Sequence, residues 1–400
     1  MRLGRVERLS FVWGAFVVAH LVAITLGWLW PNQPMGDTYL VYEPWSDGAI
    51  DGQGVVGVDS PWVYPPLALA PMIAAQALVW FSSYALQWAV LVGVLDLVAF
   101  AFLVRRGRSK ARLWAGLYWA AFVLLLGPIG IFRLDAVTVP LAVVGILFLR
   151  SRPRTAGVIL ALGTWMKIWP AAILLAGVAA LRRRWRLVAG AAWASLAVAG
   201  GVILAGGWSN LFAFITTQTG RGLQIEAVAA TPFMIGTALG THQAYYDTDI
   251  LTYQVTGPGV AATAAVLTPL MVVVVAGIAG LGFWRVRQGA EPWRILAPLA
   301  IALVVALIAT NKVGSPQFSS WLIAPLVAWM VRDRRRAWPL AGLALVIAYL
   351  TQIIYPVTYD HVLAGDTLAI AVLVLRNVGL VVLGVWAVVR VCRVPLRKET

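Results

Sequence analysis

The sequence predicts an all-α, polytopic membrane protein. Three observations carry that assignment: 61% of the residues are hydrophobic, only 12% are charged, and apolar runs of about 20 residues, the length that crosses a hydrocarbon core as a helix, recur along the chain. Too little polar surface remains for a soluble globule of 400 residues. The runs are also too long and uniform for the alternating short strands of a membrane barrel. Twenty Trp and eleven Tyr suit the membrane interfaces.

A net charge of +15 would suggest nucleic acid in a soluble chain. No nucleic-acid partner is expected here, because the distribution of the charge explains it. Of 31 Lys and Arg, 26 fall in seven clusters, at 2–8, 105–112, 150–154, 182–186, 285–294, 332–336 and 390–398, and the positive-inside rule assigns these to the cytoplasm. Segments 10–30, 84–104, 113–131, 134–149, 187–206, 259–283, 293–310, 318–331, 338–356 and 367–390 are then the predicted membrane helices, with both termini cytoplasmic. The first lacks a small-residue cleavage site and is expected to be retained.

Two stretches need a different reading. Residues 155–181 carry basic clusters at both ends, and a single helix would leave those ends on opposite sides. They are predicted to form two re-entrant half-helices turning near "TWMKIWP", where Pro170 interrupts the helix. Residues 65–82 would push the 105–112 cluster outside if they crossed, so an interfacial helix on the outer side is expected. With the half-helices this makes about 12 membrane helices. The whole chain, 1–400, reads as one integral membrane domain with outer segments at 31–83, 207–258, 311–317 and 357–366. The lone Cys392 permits no internal disulfide.

This topology sorts the charges. Eleven of the sixteen acids fall at the outer side, and Asp37, Glu43, Asp47, Asp51 and Asp59 crowd the 31–83 segment with no base among them. Five cations lie outside the cytoplasmic clusters: Arg133, Lys167, Arg221, Lys312 and Arg376. A cation at bilayer depth is costly and usually has a partner or a function. Arg376 and Asp96 share a depth and are expected to form a buried ion pair, and Arg133 has Asp135 nearby as a rim partner. Lys167 has no acid close in sequence. Cations converging at the outer rim would make a phosphate site, and the acidic loop facing them offers a base. Tyr42, Trp45, Trp62 and Tyr64 interleave with those acids, suited either to stacking on sugar or to interface anchoring. His20, His242 and His361 are scattered, so no metal site or other cofactor is expected.

An acid after the first helix followed by a tyrosine (Asp37, Tyr42), "YPP" (64–66), the Lys167 to Pro170 turn, "RGLQIE" (221–226) and "NKVGSPQF" (311–318) occur in this order over about residues 30–390. Together they resemble glycosyltransferase family 87, a GT-C fold family of polyprenol-phosphate-mannose-dependent mannosyltransferases that includes actinobacterial enzymes of phosphatidylinositol mannoside and lipomannan synthesis. The resemblance implies a plasma-membrane enzyme working on the outer face, with polyprenyl-phosphate-mannose as donor and a lipid-linked glycan as acceptor. It implies Asp37 as the catalytic base, with Glu43, Asp47, Asp51 and Asp59 as rivals. Lys167, Lys312, Arg221 and Arg133 are then expected at the donor phosphate, and Tyr42, Glu43, Trp45, Tyr64, Gln224 and Glu226 at sugar or acceptor. A single inverting displacement would suffice, since one carboxylate can take the proton of the attacking hydroxyl while cations stabilise the departing phosphate. An arabinofuranosyl donor and, from a different class, a lipid or sugar transporter are the alternatives.

Overall fold

Apolar sequence in lipid must satisfy every backbone group internally, and the chain does so with helices. The computed structural model describes residues 4–77, 79–248 and 250–396. Arg2, Arg397, Lys398 and Glu399 of the terminal charge clusters lie outside them, as do Leu78 and Asp249 of the two long outer segments. The helices are α1 (Arg5–Leu29), α2 (Glu43–Ile50), α3 (Leu69–Gln76), α4 (Tyr84–Val104), α5 (Lys110–Leu126), α6 (Leu134–Phe148), α7 (Pro153–Met166), α8 (Pro170–Ala180), α9 (Arg184–Leu204), α10 (Ala213–Thr219), α11 (Thr231–Ala238), α12 (Val260–Arg287), α13 (Pro292–Ala309), α14 (Ile323–Gln352), α15 (Tyr359–Leu363) and α16 (Thr367–Cys392). Among the described residues, eight helical elements are long and apolar enough to cross a membrane. Their outward faces are apolar: α12 leaves Val266, Val272 and Val273 more than half exposed, a surface that lipid covers and water would not tolerate.

The 155–181 stretch folds as two half-helices, α7 and α8, with Lys167, Ile168 and Trp169 between them and Pro170 opening α8, where its missing N–H costs nothing. Glycines seat α7 on α9. A methyl group on Gly157 would strike the Leu187 carbonyl, and one on Gly190 would strike that of Arg154, so the two backbones touch, as small residues allow in lipid-embedded bundles.

The predicted helices 318–331 and 338–356 are two arms of one continuous element, the 3-10 turn Pro316–Leu322 followed by α14. The arms meet at Asp333, whose backbone is non-helical and whose Oδ1 accepts from the Arg336 N–H at 3.2 Å, as an N-cap for the second arm. Ser319 and Thr351, one from each arm, lie 3.0 Å apart through their hydroxyls, so the chain reverses at Asp333.

Outer segment 31–83 holds a π-turn (Thr38–Tyr42), α2, a 3-10 turn (Pro66–Ala68) and α3. The helix expected over 65–82 is shorter than predicted, ending at Gln76. Segment 207–258 is more ordered than a loop: it contains α10, α11 and an antiparallel hairpin of β1 (Gln243–Asp247) and β2 (Thr252–Thr256). Of these, α11 and the hairpin pack on a second, smaller apolar core that includes Leu223, Ile225, Met234, Val255, Ile354 and Leu373.

The basic clusters gather at one end of the bundle. Arg5 donates to the Arg106 carbonyl at 2.6 and 2.8 Å, Arg334 lies over the Trp114 ring at 5.3 Å, and Arg150, Arg294, Arg332 and Arg390 line one cavity. Arg133 precedes α6 and Arg150 follows it, while Glu291 precedes α13 and Lys312 follows it. At about 1.5 Å per residue, these helices hold the five dispersed cations and the outer acids well away from the basic end.

Candidate active site

After α1 the chain turns sharply, with Asn32 and Gln33 at positive φ, and is held by the segment following α14. Asn32 Nδ2 donates to the Pro356 carbonyl at 2.9 Å, and the Tyr355 hydroxyl donates to the Asn32 carbonyl at 2.8 Å. This anchors Asp37. Its Oδ1 lies 2.7 Å from Arg133 Nη1, and the Tyr42 hydroxyl approaches Oδ2 at 3.4 Å. Arg133 also donates to the Tyr355 hydroxyl at 3.3 Å. The Tyr42 hydroxyl in turn accepts the Leu134 N–H at 3.1 Å, joining the π-turn to the start of α6.

Arg133 is buried, yet its guanidinium is held more firmly charged than usual. Burial opposes the charge, but Asp37, Tyr355 and Tyr42 outweigh that cost. The Asp37 side chain remains 34% exposed while that of Arg133 is 7% exposed, so the carboxylate is fixed through Oδ1 and still partly accessible.

A second group centres on Lys167 at the break between α7 and α8. Its ammonium lies 3.5 Å from Asp135 Oδ2 and 4.4 Å from the centroid of Tyr64. Asp135, only 1% exposed at its side chain, also accepts from Trp321 Nε1 at 2.6 Å. Trp321 stacks on Trp169 at 5.7 Å, and Trp169 donates to the Thr138 hydroxyl at 2.8 Å. The half-helix break is therefore clamped to α6 from both sides.

The third group comes from "RGLQIE" and "NKVGSPQF". The Gln224 N–H donates to the Lys312 carbonyl at 3.0 Å, and Gly314 lies so close to Ala227 and Glu226 that a side chain there would strike their backbone. Burial and the nearby Arg221 charge push the Lys312 ammonium below its ordinary pKa. Burial also pushes Arg221 down, opposed by Tyr64 and Asp247. Beneath them Glu226 Oε2 lies 3.4 Å from Arg376 Nη1, both side chains at most 3% exposed. Burial lifts the Glu226 carboxyl to about 6 despite the opposing Arg376 and Arg133 charges.

The two expected ion pairs, Arg376 with Asp96 and Arg133 with Asp135, do not form. Asp96 meets His20, Oδ2 to Nε2 at 2.9 Å, and Arg376 meets Glu226. Equal depth in the bilayer does not put two side chains on facing sides of their helices, and only the packing sets that angle. Arg133 likewise pairs with Asp37 instead of Asp135, because it caps α6 in extended conformation while Asp135, already within the first turn, faces inward to Trp321.

The remaining predicted residues divide by contact. Tyr42 is 1% exposed with its ring 4.8 Å from Trp88, so it presents a hydroxyl to the site and no open face. Trp45, Trp62 and Tyr64 form an edge-to-face cluster with centroids 5.2 to 6.0 Å apart. Glu43 opens α2 and is raised above an ordinary carboxyl by burial and Asp47. Asp47 accepts from Gln76 at 2.6 Å and Asp59 from the Val55 N–H at 2.7 Å, while Asp51 stands exposed at the end of α2. Sequence reasoning missed Tyr355, Trp321 and Asp135 as members of the site. Each is an ordinary residue in its own stretch and gains significance only from its partner. Among the described residues no three His, Cys, Asp or Glu side chains gather as a metal site.

Among known proteins, no curated protein and no solved structure matches the chain. The model of glycosyltransferase family 87 matches residues 62–310, from the Trp62 and Tyr64 cluster through α13. That span contains Arg133, Asp135, Lys167, Arg221 and Glu226, and it is well over half of the 400 residues. Membership in a transferase family sets aside the transporter reading, and a transferase embedded in the membrane takes a sugar donor and an acceptor there. The chain is a glycosyltransferase and belongs to glycosyltransferase family 87.

Proposed function

We propose that the enzyme transfers a mannosyl residue from polyprenyl-phosphate-mannose to a hydroxyl of a lipid-linked glycan, with inversion, at the outer face of the plasma membrane. The observation that carries this reading is Asp37, a partly exposed carboxylate braced by Arg133 on the same end of the bundle as Lys167, Arg221 and Lys312. A sugar hydroxyl is a weak nucleophile, and Asp37 Oδ2 takes its proton as the bond to the anomeric carbon forms. The bond from that carbon to the phosphate oxygen breaks in the same step, and the departing polyprenyl phosphate carries the electron pair away. Lys167, Arg221 and Lys312 stabilise its growing charge. Arg133 orients Asp37 through the 2.7 Å contact to Oδ1, so of the four cations it acts on the base more than on the phosphate.

The Trp45, Trp62 and Tyr64 cluster offers apolar edges for sugar, with Lys167 over the Tyr64 ring positioning phosphate beside it. Glu43 is the second carboxylate near this surface. Gln224, Glu226 and Arg376 brace the wall behind it. The outer placement rests on the basic end of the bundle being cytoplasmic, which also puts both termini inside.

The test incubates purified protein in detergent with radiolabelled polyprenyl-phosphate-mannose and a mannosylated lipid extract, wild type against Asp37→Asn. Label moving into lipid with the wild type alone is the expected result. Transfer from a polyprenyl-phosphate arabinofuranose donor and none from the mannosyl donor would replace the donor assignment and leave the transferase mechanism standing.

A further inference from the structure

At the end of the bundle opposite Asp37 lies a cavity of about 670 Å³. Four separate chain segments build it: Arg150 in the turn after α6, the turn into α13, the reversal in α14 and the end of α16. Arg150, Arg294, Arg332, Arg336, Arg390 and Arg393 line it against only two carboxylates, Glu291 and Asp333. Glu291 is shared by Arg294 and Arg332, both at 2.9 Å, and Asp333 lies 3.5 Å from Arg336. Arg150, Arg390 and Arg393 have no carboxylate within ion-pair distance among the described residues, and Arg390 Nε is buried without a hydrogen-bond partner.

The positive-inside rule asks for charge on this side of the membrane, but it does not ask the charges to converge on one concavity. Here they do, and the walls are shaped. Arg150 and Arg332 both lie over the Trp293 ring, at 5.8 and 5.6 Å from its centroid, and Trp329 is a further aromatic wall. Arg285 Nη2 donates to the Val394 carbonyl at 2.6 Å, and Ala290 forms a β-bridge with Leu396. The segment after α16 is thereby folded back to close one side. Nothing in sugar transfer at the far end of the bundle uses this construction.

We propose that this cavity binds a polyvalent phosphate group, with guanidinium forks meeting phosphate oxygens and the indoles covering the apolar part of the ligand. Basic pockets between helices at a cytoplasmic membrane face suit anionic lipid headgroups carrying two phosphates, and a soluble pyrophosphate presents the same chemistry.

Native mass spectrometry of the detergent-purified full chain measures binding of cardiolipin, inorganic pyrophosphate and phosphatidylcholine. The variants are Arg390→Gln/Arg393→Gln and, as a charge-matched control at the same end outside the cavity, Arg108→Gln/Lys110→Gln. The cavity variant should bind about thirtyfold more weakly, the equivalent of about 1 kcal/mol for each charge removed, while the control stays near wild type. Weakened cardiolipin binding alone identifies a lipid headgroup as the source, and weakened pyrophosphate binding as well shows that the phosphate group suffices. Equal weakening in both variants, or phosphatidylcholine held as tightly as cardiolipin, overturns the site. Should the double variant fail to fold, Arg150→Gln, at an exposed helix end, makes the same comparison.

Discussion

Lys167 is where structural and catalytic roles can be separated by experiment. Replacing it with Met removes the ammonium 3.5 Å from Asp135 and leaves the carboxylate with Trp321 as its remaining partner. At an effective dielectric of about 20 the lost attraction is about 5 kcal/mol, partly offset because Lys167 no longer has to be desolvated. A net loss of about 3 kcal/mol is expected, at the low end for breaking a buried pair. In Lys167→Met/Asp135→Asn the Asn oxygen still accepts from Trp321 and no buried charge is stranded, so most of that stability should return. Donor use should not return, because the phosphate still lacks its cation. The assays are unfolding in detergent and the donor KM of the wild type and the two variants. Recovery of donor KM in the double variant would refute the reasoning, for Lys167 would then serve only to neutralise Asp135.

Other expectations follow from the same geometry. Asp37→Asn keeps an acceptor for Arg133 and should fold normally while losing about 10²- to 10⁴-fold in turnover, with donor KM little changed; Glu43→Gln should stay near wild type, and the reverse order in steady-state kinetics would move the base to Glu43. Glu226 has a folded-state pKa of about 6, above the ordinary 4.5, so the folded protein holds the proton more tightly and gains stability as pH falls from about 7 to 4.5. The gain relative to Glu226→Gln should reach about 2 kcal/mol, and parallel unfolding curves for the two across that window would contradict it. Gly190→Leu should separate α7 from α9 and shift the Lys167 turn, lowering both the unfolding midpoint and activity; a variant unchanged in both would show that this contact does not position the site.

The resemblance read from sequence reached the correct family because it rested on ordered short motifs, each of which proves to be a packed junction. "RGLQIE" and "NKVGSPQF" lie against one another through Gln224, Lys312 and Gly314, and the Lys167 to Pro170 turn is wedged against α6 by Trp169. Such junctions restrict residue type locally, so they are visible in one dimension. Tyr355 and Trp321 meet no such local restriction, since their partners Asn32, Arg133 and Asp135 lie roughly 190 to 320 residues away in sequence.

Hydropathy and charge placement by themselves determined the helical membrane class, the half-helix break at Lys167 and the separation of a basic end from an acidic one, because lipid penalises unpaired backbone and charge wherever the fold places them. Which charge meets which was decided only in three dimensions. Depth along a helix axis is readable from residue number, whereas the angle around it follows from packing. The packing of helix faces gave Asp96 to His20, and the packing of connecting segments against helices gave Arg133 to Asp37, Lys167 to Asp135 and Arg376 to Glu226.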